Sequence, residues 1–352
     1  MTPRENLIEA LCRRNPQWVP FEFRFSPALE QEFQHRTGQK HYEDYYNFDI
    51  RTVRLPATKH PNDYSSYFKS LPQTAWIDEW GVGHLPGSVA HFDQFLHPMA
   101  DFESPKEVYD FPLPDVLANY RWMEVEKQVR HFHERGLACR FSQISIFERS
   151  WYLRGLDNLL CDLLTDEEMA EACLKRMTDN QIAMARRAAQ SGVDIITFGD
   201  DVGTQRGMML SRPLWVKWLK PRLRAAIAAA KEENPQVLAY YHSDGKIEEI
   251  IEDLIEVGVD ILNPIQPECM DPVAIKRQYG DRLSFWGAIG TQTTMPFGSP
   301  QEVEETVKRM IQTVGKNGGF CLAPSHLLEP EVPYENVEAL VRAVKKYGRY
   351  LF

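Results

Sequence analysis

The chain has 352 residues, 43% of them hydrophobic, enough to bury a sizeable core in one or two domains. Its net charge of −10, with no basic block, excludes a nucleic-acid surface built on Lys and Arg. No apolar run approaches the roughly 18 residues of a membrane helix, no signal-peptide pattern opens the chain, and the six cysteines form no CxxC, so a cytoplasmic chain with free thiols and no membrane partner is expected.

Asn6 to Arg13 has the spacing of a short amphipathic helix. Trp18 to Phe23 reads as a strand that runs into Arg24-Phe25-Ser26-Pro27. Residues 28–60 read as helix and loop, with Tyr42, Tyr45, Tyr46 and Phe48 clustered before Asp49. From about 61 to 115 the chain is rich in Trp, His, Pro and Gly and poor in helical period. It is expected to form an irregular, hairpin-bearing insertion over the mouth of the fold, with Asp78-Glu79-Trp80-Gly81 inside it. Arg121 to Glu134 predicts a helix, and Ala138 to Ile146 a strand that enters Phe147-Glu148.

From Gly192 the pattern becomes regular. Gly192-Val193-Asp194-Ile195-Ile196 returns as Gly258-Val259-Asp260-Ile261-Leu262, 66 residues later. Each copy ends a helix in Gly and opens a β-branched strand. The interval suits two βα units. Strands are expected over 193–198, 237–241, 259–265, 283–288 and 319–323, with helices between. With the N-terminal strands the count is about eight, which predicts a (β/α)8 TIM-type barrel as a single domain over 1–352. An open doubly wound sheet is the alternative. No GxGxxG follows a strand, so a dinucleotide site has no support.

Several strands end in polar residues. Phe198-Gly199 runs into Asp200-Asp201 and on to Gln205, Tyr241 into His242-Ser243-Asp244-Gly245, Ile265 into Gln266, Ile289 into Gly290-Thr291, and Pro324 into Ser325-His326. In a parallel α/β fold these ends share one face. One such residue alone is readily a helix cap; five loaded ends in a row point to chemistry. Residues i and i+2 on extended backbone point the same way, so His242 and Asp244 share one space. His242, Asp244 and His326 suit a divalent metal, Zn²⁺ or Fe²⁺. Cys321 is either a further ligand or a buried small hydrophobe, and Cys269 is a weaker candidate. An acid/base His242 paired with Asp244 explains the same residues without metal. Asp200 and Asp201 offer acid/base or cation-binding carboxylates, one of which can instead cap the next helix.

Taken together these runs resemble the uroporphyrinogen decarboxylase superfamily. The matching stretches are Trp151 to Gly155 with Asn158-Leu159-Leu160, Gly199 to Gln205, His242 to Gly245, Val259 to Gln266, Phe285-Trp286-Gly287, Ala323 to His326, and Asp78 to Gly81. The resemblance implies a (β/α)8 barrel and one of two chemistries. One is cofactor-free decarboxylation of uroporphyrinogen; the other is zinc-dependent methyl transfer involving a corrinoid protein. Against the decarboxylases, Arg24 alone remains of an arginine-rich opening stretch, while Asp49 and His326 match positions of theirs. Against the methyltransferases, His242 matches a zinc ligand, and Asp244 and His326 stand where two cysteines are expected. The resemblance thus implies Zn²⁺ at His242, Asp244 and His326, with Cys321 close by. It implies Asp200, Asp201, Asp49 and Gln205 as catalytic residues, and Arg24, Gln143, Gln266, Tyr241 and Trp286 as substrate contacts. A corrinoid protein is the expected partner of the methyltransferase reading, and a homodimer stays open. Decarboxylation and a non-catalytic binding protein are the competing readings.

Overall fold

Apolar runs separated by helices build a parallel sheet. The computed structural model describes residues 1–87 and 93–350, the side chain of Gln143 excepted. β1 (Ile50–Val53) is followed by three short antiparallel strands, β2 (Trp76–Ile77), β3 (Gly83–Pro86) and β4 (Asp93–Leu96). Then come β5 (Ala138–Ile144), β6 (Ile195–Gly199), β7 (Leu238–His242), β8 (Ile261–Asn263), β9 (Ser284–Ile289) and β10 (Phe320–Pro324). The parallel sheet has seven strands in the order β1-β5-β6-β7-β8-β9-β10. Each strand pairs with the next one in the chain, so every link is a crossover, carried by helices on the outer face.

The sheet curls. Ile50 on β1, Ala138, Ile195, Tyr240, Ile261, Trp286 and Cys321 on β10 all meet in one interior cluster. Leu7 and Leu11 of helix Pro3–Leu11 join it. A second, larger core lies between sheet and helices. Where eight strands were expected, seven form the continuous sheet among the described residues. The segment read as strand Trp18 to Phe23 lies along the outer edge of β10 and is held by isolated parallel bridges, Phe21 to Leu322 and Phe25 to Leu328. Pro20 has no N–H to give to a ladder, which keeps this pairing short.

The repeated Gly-Val-Asp has a structural meaning. Gly192 and Gly258 take left-handed φ values of +84° and +98° just past their helices. The aspartates then tie the next strand to its neighbour. Asp194 Oδ2 accepts from the Cys139 N–H at 2.8 Å, and Asp260 Oδ2 from the Ala239 N–H at 2.8 Å.

The region read as an insertion contains β2 to β4 and the short helix Pro105–Asp110. Its described residues pack on helix Phe147–Arg154, which begins just beyond the end of β5. Phe95 meets Tyr152 at 4.8 Å between ring centroids, and the Arg149 guanidinium lies 4.4 Å from the centre of the Trp80 ring. No helix among the described residues is long and apolar enough to cross a membrane.

Candidate functional site

Alternation along β7 divides the Tyr-Tyr-His run. Tyr240 and His242 line a cavity of about 140 Å³ inside the curl of the sheet, together with Arg140, Asn263, Trp286 and His326. Tyr241 falls on the opposite face, fully buried, with its hydroxyl 3.3 Å from the Asp200 carbonyl.

His242 is oriented by two linked hydrogen bonds. Asn263 Nδ2 donates to the Trp286 carbonyl at 2.8 Å, so its Oδ1 faces the other way. That oxygen lies 2.6 Å from His242 Nδ1. An amide oxygen only accepts, so Nδ1 carries a proton, and in the neutral ring the lone pair is on Nε2. His242 Nε2 lies 3.6 Å from Asp201 Oδ1. The same Asp201 oxygen accepts from the Asp244 N–H at 2.8 Å. One donor atom each from Asp201, His242 and Asp244 lie within 4.8 Å of one another. His326 flanks this group, its Nε2 4.0 Å from Asp244 Oδ2.

The turns after β6 and β7 are pressed together to make this convergence. A Cβ on Gly245 would meet the Gly203 carbonyl carbon at 2.6 Å, and Gly245 also has φ +81°. Ser243 Oγ accepts from the Val202 N–H at 3.1 Å, and Gln266 Oε1 from the Gly245 N–H at 3.1 Å. The motif residues Ser243, Gly245 and Gln266 are therefore the frame that presents His242 and Asp244.

The site is strongly acidic. Burial raises the Asp244 carboxyl, His242 opposes that, and the nearby Asp201 charge adds to it. Burial, with Asp201 and Asp200 adding, holds Glu148 well above the usual carboxylate range. Burial also lowers His326, against the pull of Asp244. Asp244 and Glu148 are thus poorly solvated carboxyls close to the half-exposed Asp201, an arrangement that favours a cation or retained protons. Glu148 was not singled out in the sequence reading. Its one signal there was its place directly past the end of a strand.

Other expected site residues sit elsewhere. Asp200 is buried and pushed up to about 6 by burial. Its oxygens accept from the Ser145 hydroxyl at 3.0 Å and from the Glu148 N–H at 2.9 Å, so it anchors the start of helix Phe147–Arg154. Asp49 precedes β1, at the end of the sheet away from His242, where its Oδ2 accepts from the Trp18 indole at 2.9 Å. It does not line the cavity. Cys321 points into the interior apolar cluster, and burial holds its thiol well up. It does not belong to the converging group, because it lies back along β10 while His326 lies past the strand's end. Gln205 is in the turn after β6, where its Oε1 accepts from the Cys269 thiol at 3.1 Å. Gln143 lies on β5, and its side chain is outside the described residues. Arg24 and Trp286 both line the cavity.

A second cluster, His133, Cys139 and Asp194, also has metal-like spacing. It sits at the opposite end of the sheet. There Arg4 holds Asp194 at 2.8 Å, His133 bonds it at 2.9 Å, and burial pushes the Cys139 thiol up to about 12. The Arg4 guanidinium already pairs with Asp194 through Oδ1, and His133 and the Cys139 N–H take up Oδ2.

Comparison with known proteins bears on this geometry. Residues 144–347 match the family model described as uroporphyrinogen decarboxylase (URO-D). A methylcobamide:CoM methyltransferase of Methanosarcina barkeri is 26% identical over 181 residues, 51% of this chain and 50% of that protein. A uroporphyrinogen decarboxylase of Hydrogenobaculum sp. is 25% identical over 185 residues, 52% of this chain and 48% of that protein. In these alignments the chain spans about half the length of the curated relatives it matches. The solved structure of a methyltransferase from Methanosarcina mazei superposes with a TM-score of 0.72 at 18% identity, covering 99% of both chains. That likeness extends the shared α/β fold over the whole length.

Proposed function

The chain belongs to the uroporphyrinogen decarboxylase family, and from that premise we propose that it is a zinc-dependent methyltransferase. It moves a methyl group between a small methylated substrate and a corrinoid protein. We take 1–352 as one barrel domain, with 61–115 inserted beside the mouth.

The observation that carries this reading is the orientation of His242. A metal-binding histidine ordinarily donates its second ring N–H to a fixed acceptor, which sets its tautomer and raises its basicity. Asn263 is such an acceptor, and it is itself fixed by the Trp286 carbonyl. The free Nε2 then faces Asp201 and Asp244. Ligand atoms about 2.0–2.2 Å from a tetrahedral zinc sit roughly 3.4 Å apart. The 3.6 Å from His242 Nε2 to Asp201 Oδ1 fits with small side-chain turns. The ligand set becomes Asp201, His242 and Asp244, with His326 as a fourth neighbour.

Zinc held there supplies Lewis acidity to the oxygen or nitrogen that carries the methyl group. The protein's own residues do the rest. Asn263 holds the imidazole. Gln266 and Ser243 fix the turn that carries Asp244. Asp200 fixes the helix that carries Glu148. Glu148, buried and raised, carries the proton that the demethylated heteroatom takes up. The cavity floored by Trp286 and Tyr240 receives the body of the substrate.

The kinship with a named methylcobamide:CoM methyltransferase supports methyl transfer. Decarboxylation has less behind it, since Asp49 lies outside the cavity and, of the two arginines that line it, Arg140 is paired with Glu22 and leaves Arg24 for a substrate carboxylate. The test is an anaerobic assay of the zinc-loaded enzyme with methoxylated and N-methylated small acids and cob(I)alamin as acceptor. Growth of the methylcobalamin spectrum supports the proposal. Coproporphyrinogen formed from uroporphyrinogen by the same preparation, with no methylcobalamin from any donor, replaces it with decarboxylation.

A further inference from the structure

The end of the sheet away from His242 holds two cations that the proposed chemistry does not use. Arg13 follows helix Pro3–Leu11, Lys276 lies on helix Pro272–Tyr279, and Gly318-Gly319 lead into β10. Arg13 Nη1 donates at 2.7 Å to the hydroxyl of Ser284, the first residue of β9. Lys276 Nζ donates to the Gly318 carbonyl at 2.7 Å. Both side chains are half-buried and pack on Gly319, where a Cβ would meet Arg13 Cγ at 2.9 Å and Lys276 Nζ at 3.2 Å.

Neither cation has an ion pair among the described residues. The carboxylates that act on the adjoining Cys12 are Glu9 and Asp260. Glu9 is committed to Arg14 at 2.8 Å and Asp260 to Lys231 at 2.8 Å. Burial, with Arg13 adding, lowers Lys276 to about 8, and no carboxylate opposes them. Two like charges thus meet in a half-buried place without a counter-charge, which costs free energy.

The backbone of Arg13 supplies a second, independent observation. It has φ +56° just past the end of its helix, in the left-handed region where glycine is the usual occupant. A guanidinium therefore stands where the backbone alone calls for glycine. Lysine has three donors and arginine five, and one of each is used by Gly318 and Ser284, so donors remain for a ligand. Two cations against one glycine favour an anion with both charges on one group. A phosphate carries about −1.5 to −2 near neutral pH, whereas a carboxylate carries a single charge.

We propose that Arg13 and Lys276 bind a phosphate group, free or as a monoester, at the end of the sheet opposite His242. Bound there, it links the N-terminal helix to the turn before β10 and stabilises the folded chain. The binding depends neither on zinc nor on methyl transfer.

Full-length protein in Tris at pH 7 is titrated calorimetrically, at constant ionic strength, with inorganic phosphate, glycerol 3-phosphate and acetate. At least one of the two phosphates is expected to bind saturably and at least tenfold more tightly than acetate. The tighter of the two tells free phosphate from a monoester as the ligand. Arg13→Gly suits the left-handed backbone and so keeps the fold, and it is expected to weaken phosphate at least tenfold. In protein labelled with ¹³C at lysine, Lys276→Gln identifies the Lys276 signal by its absence. That signal should titrate at higher pH when phosphate is bound. Absence of saturable binding, acetate as tight as phosphate, undiminished phosphate binding in Arg13→Gly, or a Lys276 titration that phosphate leaves in place overturns the proposal.

Discussion

His242 Nδ1 and Asn263 Oδ1 lie 2.6 Å apart, and Asn263 can hold that oxygen toward the imidazole because its Nδ2 is committed to the Trp286 carbonyl. The tautomer of a residue on β7 is thus set from β8 and β9. Asn263 sits in the stretch that resembles the family pattern, yet its role was invisible until the strands were laid side by side.

Asn263→Leu should loosen the imidazole without touching a ligand. Loss of such a supporting hydrogen bond costs about 10–100-fold in metal affinity. Competition with a chromogenic zinc chelator measures it. Affinity equal to wild type would separate Asn263 from metal binding.

Asp49 gives a pH dependence away from the site. Burial raises its carboxyl to about 6 from an ordinary 3.8. The folded state therefore holds a proton that the unfolded state has lost, between about pH 4 and pH 6. Stability falls as pH rises through that window and stays lower above it. Asp49→Asn keeps an acceptor for the Trp18 indole and removes the charge. It should match wild type near pH 3.5 and exceed it at pH 7 by up to about 3 kcal/mol. Urea unfolding at the two pH values reads the difference, and an unchanged gap between the proteins would show that Asp49 is not the group responsible.

Arg121 is 1% exposed and meets Glu79 through Nη2 at 2.9 Å and 3.0 Å, while its Nε donates to the Pro56 carbonyl at 3.0 Å. It ties the β2–β4 region to helix Asn119–Glu134. Arg121→Ala removes the ion pair of Glu79, which keeps the Thr58 N–H, and the Nε donor to the Pro56 carbonyl, and should cost about 3 kcal/mol in urea unfolding. A loss below about 1 kcal/mol would place this contact among ordinary surface ion pairs.

Much of the sheet was legible because its signals are local. A left-handed glycine closes the helices before β6 and β8, and apolar runs mark every strand, so β6 to β10 fall within a few residues of their expected positions. The segment at Trp18 to Phe23 was readable as extended but not as a bridge-length edge, since that depends on which strand it meets. The site was half legible. Asp201, His242 and Asp244 stand at strand ends, where chemistry gathers. Asp200 and Asp201 are indistinguishable as letters, and only the fold turns one into the anchor of a helix and the other toward His242. Asp49 misled for the opposite reason: it resembles a functional residue in sequence but lies at the far end of β1. Glu148 gained its character from burial beside other carboxylates, a property no local pattern carries.

The most direct measurement of the central claim is the zinc content of protein purified without a histidine tag after growth with added zinc, for the wild type and for His242→Ala, Asp244→Ala, Asp201→Ala and Cys321→Ser. The wild type should retain close to one equivalent, the first three variants should lose most of it, and Cys321→Ser should keep it. Less than about a tenth of an equivalent in the wild type, or full retention in His242→Ala, Asp244→Ala and Asp201→Ala, would contradict the zinc site and the methyl transfer built on it.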